Sequence, residues 1–184
     1  MSSVQKLDIT FLLFDGFSTM VLASAVEPLR AARDISGAAG TFVWRLATLD
    51  GAAVRSSSGI ELHPDLSLEQ VAACDHLMVI SGYGVRQHTN RATTSALRRG
   101  HRNVATFGGL DMGGWILAAA GLLDGYRATV HWQALGDFEE NFLNVEVEKK
   151  EYVIDRNRIT AGGASAVMNL MLRLIRDTAG LSLI

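Results

Sequence analysis

The chain has 184 residues, 48% of them hydrophobic and 20% charged, with a formal net charge of −2 and a single cysteine. At about 100–200 residues per domain this is one domain spanning 1–184, with apolar content for a sizeable core and too little charge for a disordered chain. The near-neutral balance excludes nucleic-acid binding by bulk attraction, and the lone Cys74 excludes an internal disulfide and accords with a reducing cytoplasm.

No stretch has the apolar length of a membrane span, and "MSSVQKLD" has no signal-peptide core. "LDITFLLF" (7–14) is a nearly unbroken apolar run, the pattern of a strand covered on both faces. After the "DGF" turn, Ser18 can cap a helix running to Asp34, with Pro28 expected to kink it or restart it. "TFVWRLATLD" (41–50) reads as a second strand, and "GAAVRSSSGIELHPD" as a turn and a short strand pair. "SLEQVAAC" reads as a short helix capped by Ser67, and "DHLMVISG" (75–82) as a third long buried strand. "TNRATTSALRRG" is a helix closed by Gly100. "NVATFGG" is a fourth strand, followed by a turn and a helix from Met112 to Leu123. "RATVH" is a further strand, "WQALGDFEENF" a helix, "EYVIDRNRIT" a hairpin and "SAVMNLMLRLIRDTAG" the last helix.

Strands alternating with helices predict a three-layer α/β/α sandwich around a mostly parallel, flavodoxin-like sheet. In such sheets ligands bind beyond the carboxyl ends of the strands. Four segments converge there: "FDGFSTM", "SGYG", "GGLDMGG" and "VHW". A strand-to-helix turn of the "GGLDMGG" kind often raises a nucleophile to the sheet edge. Here the turn residue is Asp111, and no Ser or Cys lies between Phe107 and Leu123. Asp is a strong helix cap, so Asp111 is either a cap alone or a cap that also holds a ligand cation. The helix end is expected to stabilise its anion. His131 is either satisfied by a backbone carbonyl or a donor to a ligand carboxylate. Trp132 is either core or a cation–π wall, and Trp115 is expected to pack against the sheet. The glycines of "SGYG", with Gly82 and Tyr83 at its centre, form an ordinary turn or an amide nest for a carboxylate. Phe17 and Met20 are either pocket walls or plain core, and Met112 is a pocket candidate beside Asp111. Cys74 lies at the wrong end of a strand for this site and reads as structural. The run from Arg86 to Arg102 has five arginines, two histidines and no acid, and reads as a solvated face. No phosphate loop is present, and the five histidines lack metal-ligand spacing.

"LFDGFSTMVLASAVEPLRAAR" and "LDMGGWILAAAGLLDGYRATVHW" resemble the ThiJ/PfpI superfamily, of the class I glutamine-amidotransferase-like fold. That resemblance implies a cysteine on the elbow, an acid on the first helix and a histidine on the next strand. Asp111, Val21 and His131 fall at those places. "FSTMVLASAVEPLRAAR", "SSSGIELHPD" and "VIDRNRITAGGASAVMNLMLRLI" are similar to the N-terminal sensor domains of AraC-type transcriptional regulators. The resemblance implies an arginine-, carnitine- or betaine-like effector, no cofactor, no metal, a homodimer and a cytoplasmic, non-membrane protein. Its contact with DNA is expected only through a C-terminal helix-turn-helix part, which the chain is expected to lack after Ile184. Dimer contacts are expected on the apolar stripe of the last helix or on "EPLRAAR". With neither cysteine nor acid at the matching places, a sensor without catalysis is expected. The alternative is a ThiJ/PfpI-type hydrolase, hydratase or glyoxalase-like enzyme.

Overall fold

In the computed structural model the described residues are 6–36, 40–100 and 104–180. Strands β1 (Leu7–Leu13), β2 (Phe42–Thr48), β5 (Leu66–Ser67), β6 (Cys74–Ser81), β7 (Val104–Asp111), β10 (Tyr152–Asp155) and β11 (Arg158–Ala161) form one sheet in the order β10-β11-β7-β6-β1-β2-β5. Every neighbouring pair is parallel except β10 with β11, the predicted hairpin. Two two-stranded ribbons stand apart from it, β3 (Val54–Arg55) with β4 (Glu61–Leu62) and β8 (Arg127–Ala128) with β9 (Glu146–Val147).

The unbroken apolar runs of the inner strands have a plain cause. Ile9, Phe11 and Leu13 of β1 and Met78 and Ile80 of β6 face helices α1 (Thr19–Ser36) and α5 (Ala164–Ala179). The alternate residues, Leu12, Leu77 and Val79, join the core under α2 (Arg91–Gly100), α3 (Gly113–Ala119) and α4 (Leu135–Asn141). A strand between two helical layers needs apolar residues on both faces. The predicted three-layer architecture is therefore the observed one.

Several elements differ from expectation. Pro28 does not restart the first helix, which runs continuously from Thr19 to Ser36. Its missing N–H costs about 3 kcal/mol in a helix interior, and burial of Val21, Leu22, Ala25 and Leu29 against the sheet offsets it. Ser18 does cap this helix, its Oγ accepting from the Val21 amide at 3.4 Å. "SLEQVAAC" is only one 3-10 turn, Leu68–Gln70, because Leu66–Ser67 is drawn onto the sheet edge beside β2. The helix after the elbow ends at Ala119 rather than Leu123. "RATVH" gives two strand residues, outside the central sheet. Thr129 leaves the ribbon to bond β11 through the Thr160 hydroxyl at 2.8 Å. The closing role expected of Gly100 depends on residues 101–103, which lie outside the described residues, His101 and Arg102 among them. Val167, Leu170, Met171, Leu174 and Ile175 of α5 are all buried in the core, so this stripe is not a free dimer surface. Arg30 of "EPLRAAR" bonds Glu27 and Asp34 on its own helix, each at 2.8 Å. Among the described residues, no helix is long and apolar enough to cross a membrane.

The strand order reverses between β1 and β6. The chain crosses from β1 to β2 in one direction, then fills β6, β7 and β11 in the other. A crevice lies at this reversal, at the carboxyl ends of the strands. Two close backbone approaches shape it. A Cβ on Gly82 would lie 2.5 Å from the Gly16 carbonyl oxygen, so the two loops meet main chain to main chain. A Cβ on Gly113 would lie 1.9 Å from the Val79 carbonyl oxygen, so α3 starts directly on β6.

Gly113→Ala is therefore expected to lower stability by ~3 kcal/mol, about 6–12 °C in melting temperature, because the obstructing atom is backbone. Gly136→Ala in α4, where an added Cβ meets nothing within 4 Å, is the control and should be neutral or slightly stabilising. Thermal melts of the two variants beside the parent check both.

Candidate functional site

The crevice at the carboxyl ends of β1, β6 and β7 has a volume of about 570 Å³. Gly16 and Ser18 follow β1, Gly82, Tyr83 and Gly84 follow β6, and Asp111 and Met112 stand at the end of β7. His131 closes one side, and Arg86, Gln133 and Asp137 form the mouth. Main-chain bonds fix this ring. The Tyr83 amide donates to the Gly16 carbonyl at 3.1 Å, the Met112 amide to the Ser81 carbonyl at 3.1 Å, and the His131 amide to the Asp111 carbonyl at 3.3 Å.

Asp111 is the last residue of β7 and has φ +58°. Left-handed backbone is uncommon outside glycine, and Asp is one of the few residues that tolerates it. This conformation corrects the capping assignment. A capping residue has extended backbone and points its side chain at the first helical amides. Here the cap position of α3 belongs to Met112, whose side chain makes no capping bond. The Asp111 side chain is instead swept into the crevice. It is 8% exposed, and among the described residues its carboxylate makes no hydrogen bond or ion pair. Burial without a donor or a cation pushes this carboxyl up to about 7. The expected stabilisation of the anion at the elbow is therefore reversed.

His131 Nδ1 accepts from the Gln133 amide at 3.4 Å, not from the expected partnership with a carbonyl. Burial lowers its pKa, so the ring is neutral at pH 7 and carries its proton on Nε2. Arg86 and Asp137, 51 positions apart, join at 2.8 Å across the mouth, and the guanidinium lies 5.0 Å above the Trp115 ring. Both partners are about two-thirds exposed, so the pair is worth less than about 1 kcal/mol and opens easily. Trp115, expected against the sheet, packs on Phe138 of α4 and on Phe142 just after it.

Of the residues singled out in the sequence, Asp111, Met112, Gly82, Tyr83 and His131 come together in the crevice. Phe17, Met20 and Trp132 do not line it. Phe17 is fully buried in the core between sheet and α1. Met20 is 67% exposed on the outer side of α1, and Trp132 is 71% exposed, neither core nor cage. The amide of Tyr83 is already bonded to the Gly16 carbonyl and is not free for a ligand carboxylate. Sequence reasoning missed Arg86, Asp137 and Ser57. Arg86 was hidden in a basic run that reads as a solvated face, and nothing local marks Asp137 as its partner. Val21 is 2% exposed in the core and contributes no acid. Cys74, the sole cysteine, is buried at the start of β6, about 23 Å of strand rise from Ser81 beside the elbow. Burial raises its pKa, as befits an inert thiol. Among the described residues no group of three or more His, Cys, Asp or Glu is placed to hold a metal ion.

Comparison with known proteins places these features. The sequence pattern of the DJ-1/PfpI family matches residues 8–177. The HTH-type transcriptional regulator GbdR of Pseudomonas aeruginosa is 40% identical over 167 residues, covering 91% of this chain and 45% of the regulator. Isonitrile hydratase of Pseudomonas putida is 31% identical over 175 residues, covering 95% of this chain and 73% of the enzyme. A crystal structure of an AraC family transcriptional regulator from Pseudomonas putida superposes with a TM-score of 0.81 at 27% identity, covering 96% of this chain and 95% of that one. The chain spans about half the length of the curated regulators it matches.

The environment of Asp111 has a measurable consequence. Its carboxyl binds a proton more tightly folded than unfolded, so its contribution to stability is present below pH 4 and is lost as pH rises to about 7. Asp111→Asn, which keeps the shape and the left-handed preference, removes that loss. The variant should match the parent near pH 4 and exceed it at pH 8 by ~2 kcal/mol or more, about 4–8 °C. Melting temperatures from pH 4 to pH 8.5 check the divergence.

Proposed function

The chain belongs to the DJ-1/PfpI family, and on that premise we propose that it is the ligand-sensing domain of an AraC-type transcriptional regulator. The observation that carries this reading is a buried carboxyl without a partner in a crevice at the sheet's switch point. It stands in a chain similar over nine-tenths of its length to a transcriptional regulator. A crevice of about 570 Å³ lies within the range of small-molecule sites. The ligand is a small zwitterion or cationic amine, arginine-, carnitine- or betaine-like. Asp111 holds its cationic head, and the His131 Nε2–H is a further donor to its polar groups. Arg86, released from Asp137, takes its carboxylate, an exchange of one exposed ion pair for another that costs little.

The elbow lacks the catalytic cysteine, and Val21 stands where the acid would act. The domain therefore senses and does not turn over its ligand. Occupancy shifts the population of two arrangements of the crevice, and a C-terminal DNA-binding part reads the shift in a homodimer. The two elements bridged by Arg86 and Asp137, the turn after β6 and helix α4, are the parts that ligand binding would reposition.

A second reading rests on two observations: a carboxyl with a pKa of about 7 in a crevice with a neutral imidazole, and the likeness to isonitrile hydratase. Under it Asp111 is a general acid in the hydration of a small molecule. Hydration of an isonitrile by the parent and its loss in Asp111→Asn would decide for this enzyme.

Thermal-shift and calorimetric titration with glycine betaine, L-carnitine and L-arginine test the sensor. At least one should stabilise the fold without being consumed. Arg86→Ala should weaken that zwitterion by about tenfold, ~1–2 kcal/mol, and leave a carboxylate-free cation such as choline unaffected. Absence of stabilisation by any of the three overturns the ligand class.

A further inference from the structure

We infer that the crevice admits its cationic ligand in exchange for the proton on Asp111, so that occupancy reports ligand concentration and pH together. The inference rests on the sensor reading above and adds the regulation of that same site. Its basis is the geometry around one side chain. Asp111 lines the crevice, is 8% exposed, and makes no side-chain hydrogen bond or ion pair among the described residues. Opposite it in the β6–β7 register is Ser81, whose hydroxyl is fully buried and also without a partner.

The titratable groups that face this carboxyl come from every wall. His131 arrives on the segment between β8 and α4, held by its amide to the Asp111 carbonyl. Burial keeps its ring neutral near pH 7, so it supplies no positive charge. Arg86 and Tyr83 come from the turn after β6, and Asp137 from α4. Arg86 is engaged by Asp137 at 2.8 Å and makes no ion pair with Asp111. No cation of the resting crevice compensates Asp111. Its carboxyl accordingly keeps the proton up to about pH 7.

A buried acid of this kind has two ways to be neutralised, a proton or a ligand cation. A protonated carboxyl offers a quaternary ammonium no charge and no acceptor the ammonium can use, since that cation has no N–H. Binding therefore requires the O–H bond to break. The proton leaves to solvent, and the ligand's cationic head takes its place beside the carboxylate; the charge at Asp111 stays balanced, and the ligand's own carboxylate is met by Arg86. By linkage, affinity is constant well above pH 7 and falls about tenfold per pH unit below it.

Calorimetric titration from pH 5.5 to 8.5 tests this, each pH being run in two buffers of different ionisation enthalpy. Glycine betaine, L-carnitine and L-arginine are the cationic probes, and 3,3-dimethylbutanoate is the uncharged-head isostere of betaine. The expected result is a ~30-fold loss of affinity between pH 8.5 and 5.5, with nearly one proton released per ligand at pH 6. The isostere should not share that dependence, and Asp111→Asn should lose the cationic probes at every pH. A probe that binds with equal affinity throughout and releases no proton overturns the exchange and leaves the sensor intact. Retention of the pH dependence in Asp111→Asn also overturns it, by assigning the proton elsewhere. Failure of every cationic probe at every pH overturns the exchange and the cationic ligand class together. Difference infrared spectroscopy of parent against Asp111→Asn provides a ligand-free measurement. A carboxyl band titrating near pH 7 supports the exchange, and one titrating near pH 4 overturns it.

Discussion

The contact between the first turn of α3 and the main chain of β6 is the constraint on which the site depends. Gly113 sits against the Val79 carbonyl, closer than any side chain allows. For the helix to start there, the chain must turn sharply at the end of β7, and Asp111 takes left-handed backbone to do it. That conformation decides where the carboxyl goes. With extended backbone it would fold over the helix end and satisfy amides. With φ +58° it faces the crevice, buried and without a donor. The raised pKa, and with it the cation site proposed above, descends from one close approach between two backbones.

The architecture was legible because its signals are local and repeated. A strand buried on both faces has no polar alternation, and β1 and β6 show that pattern over residues 11–13 and 77–80. The paired glycines of "GGLDMGG" also announced a crowded backbone. Elements that failed to follow their local pattern did so for tertiary reasons. Leu66 and Ser67 gain more from the sheet edge than from starting a helix. Pro28 is tolerated because its helix is clamped on one face by the sheet and α5. Thr129 leaves its ribbon because a threonine hydroxyl of β11 offers its amide a partner.

The crevice was legible in outline. Asp111, His131 and the turn after β6 were readable because a parallel sheet sends its strand ends to one edge. The orientations were not. Whether a residue after a strand faces the crevice, the core or solvent depends on one or two backbone angles, and Phe17, Met20 and Trp132 each went the other way. Arg86 and Asp137 illustrate a deeper limit. Their ion pair joins positions 51 residues apart, and neither has a sequence neighbour that marks it. Statistics for Asp before helices pointed to a cap because they describe extended backbone, and the elbow is not extended.

The ring around the crevice is closed by main-chain bonds: Met112 to Ser81, His131 to Asp111, Tyr83 to Gly16. None of these uses the side chain at position 111. The frame is thus indifferent to which side chain stands there, within the limits of left-handed backbone. A lineage that exchanged this residue would keep its scaffold and change only the chemistry displayed on it. Such modularity separates the frame of the crevice, built from main chain, from the side-chain chemistry that the frame presents.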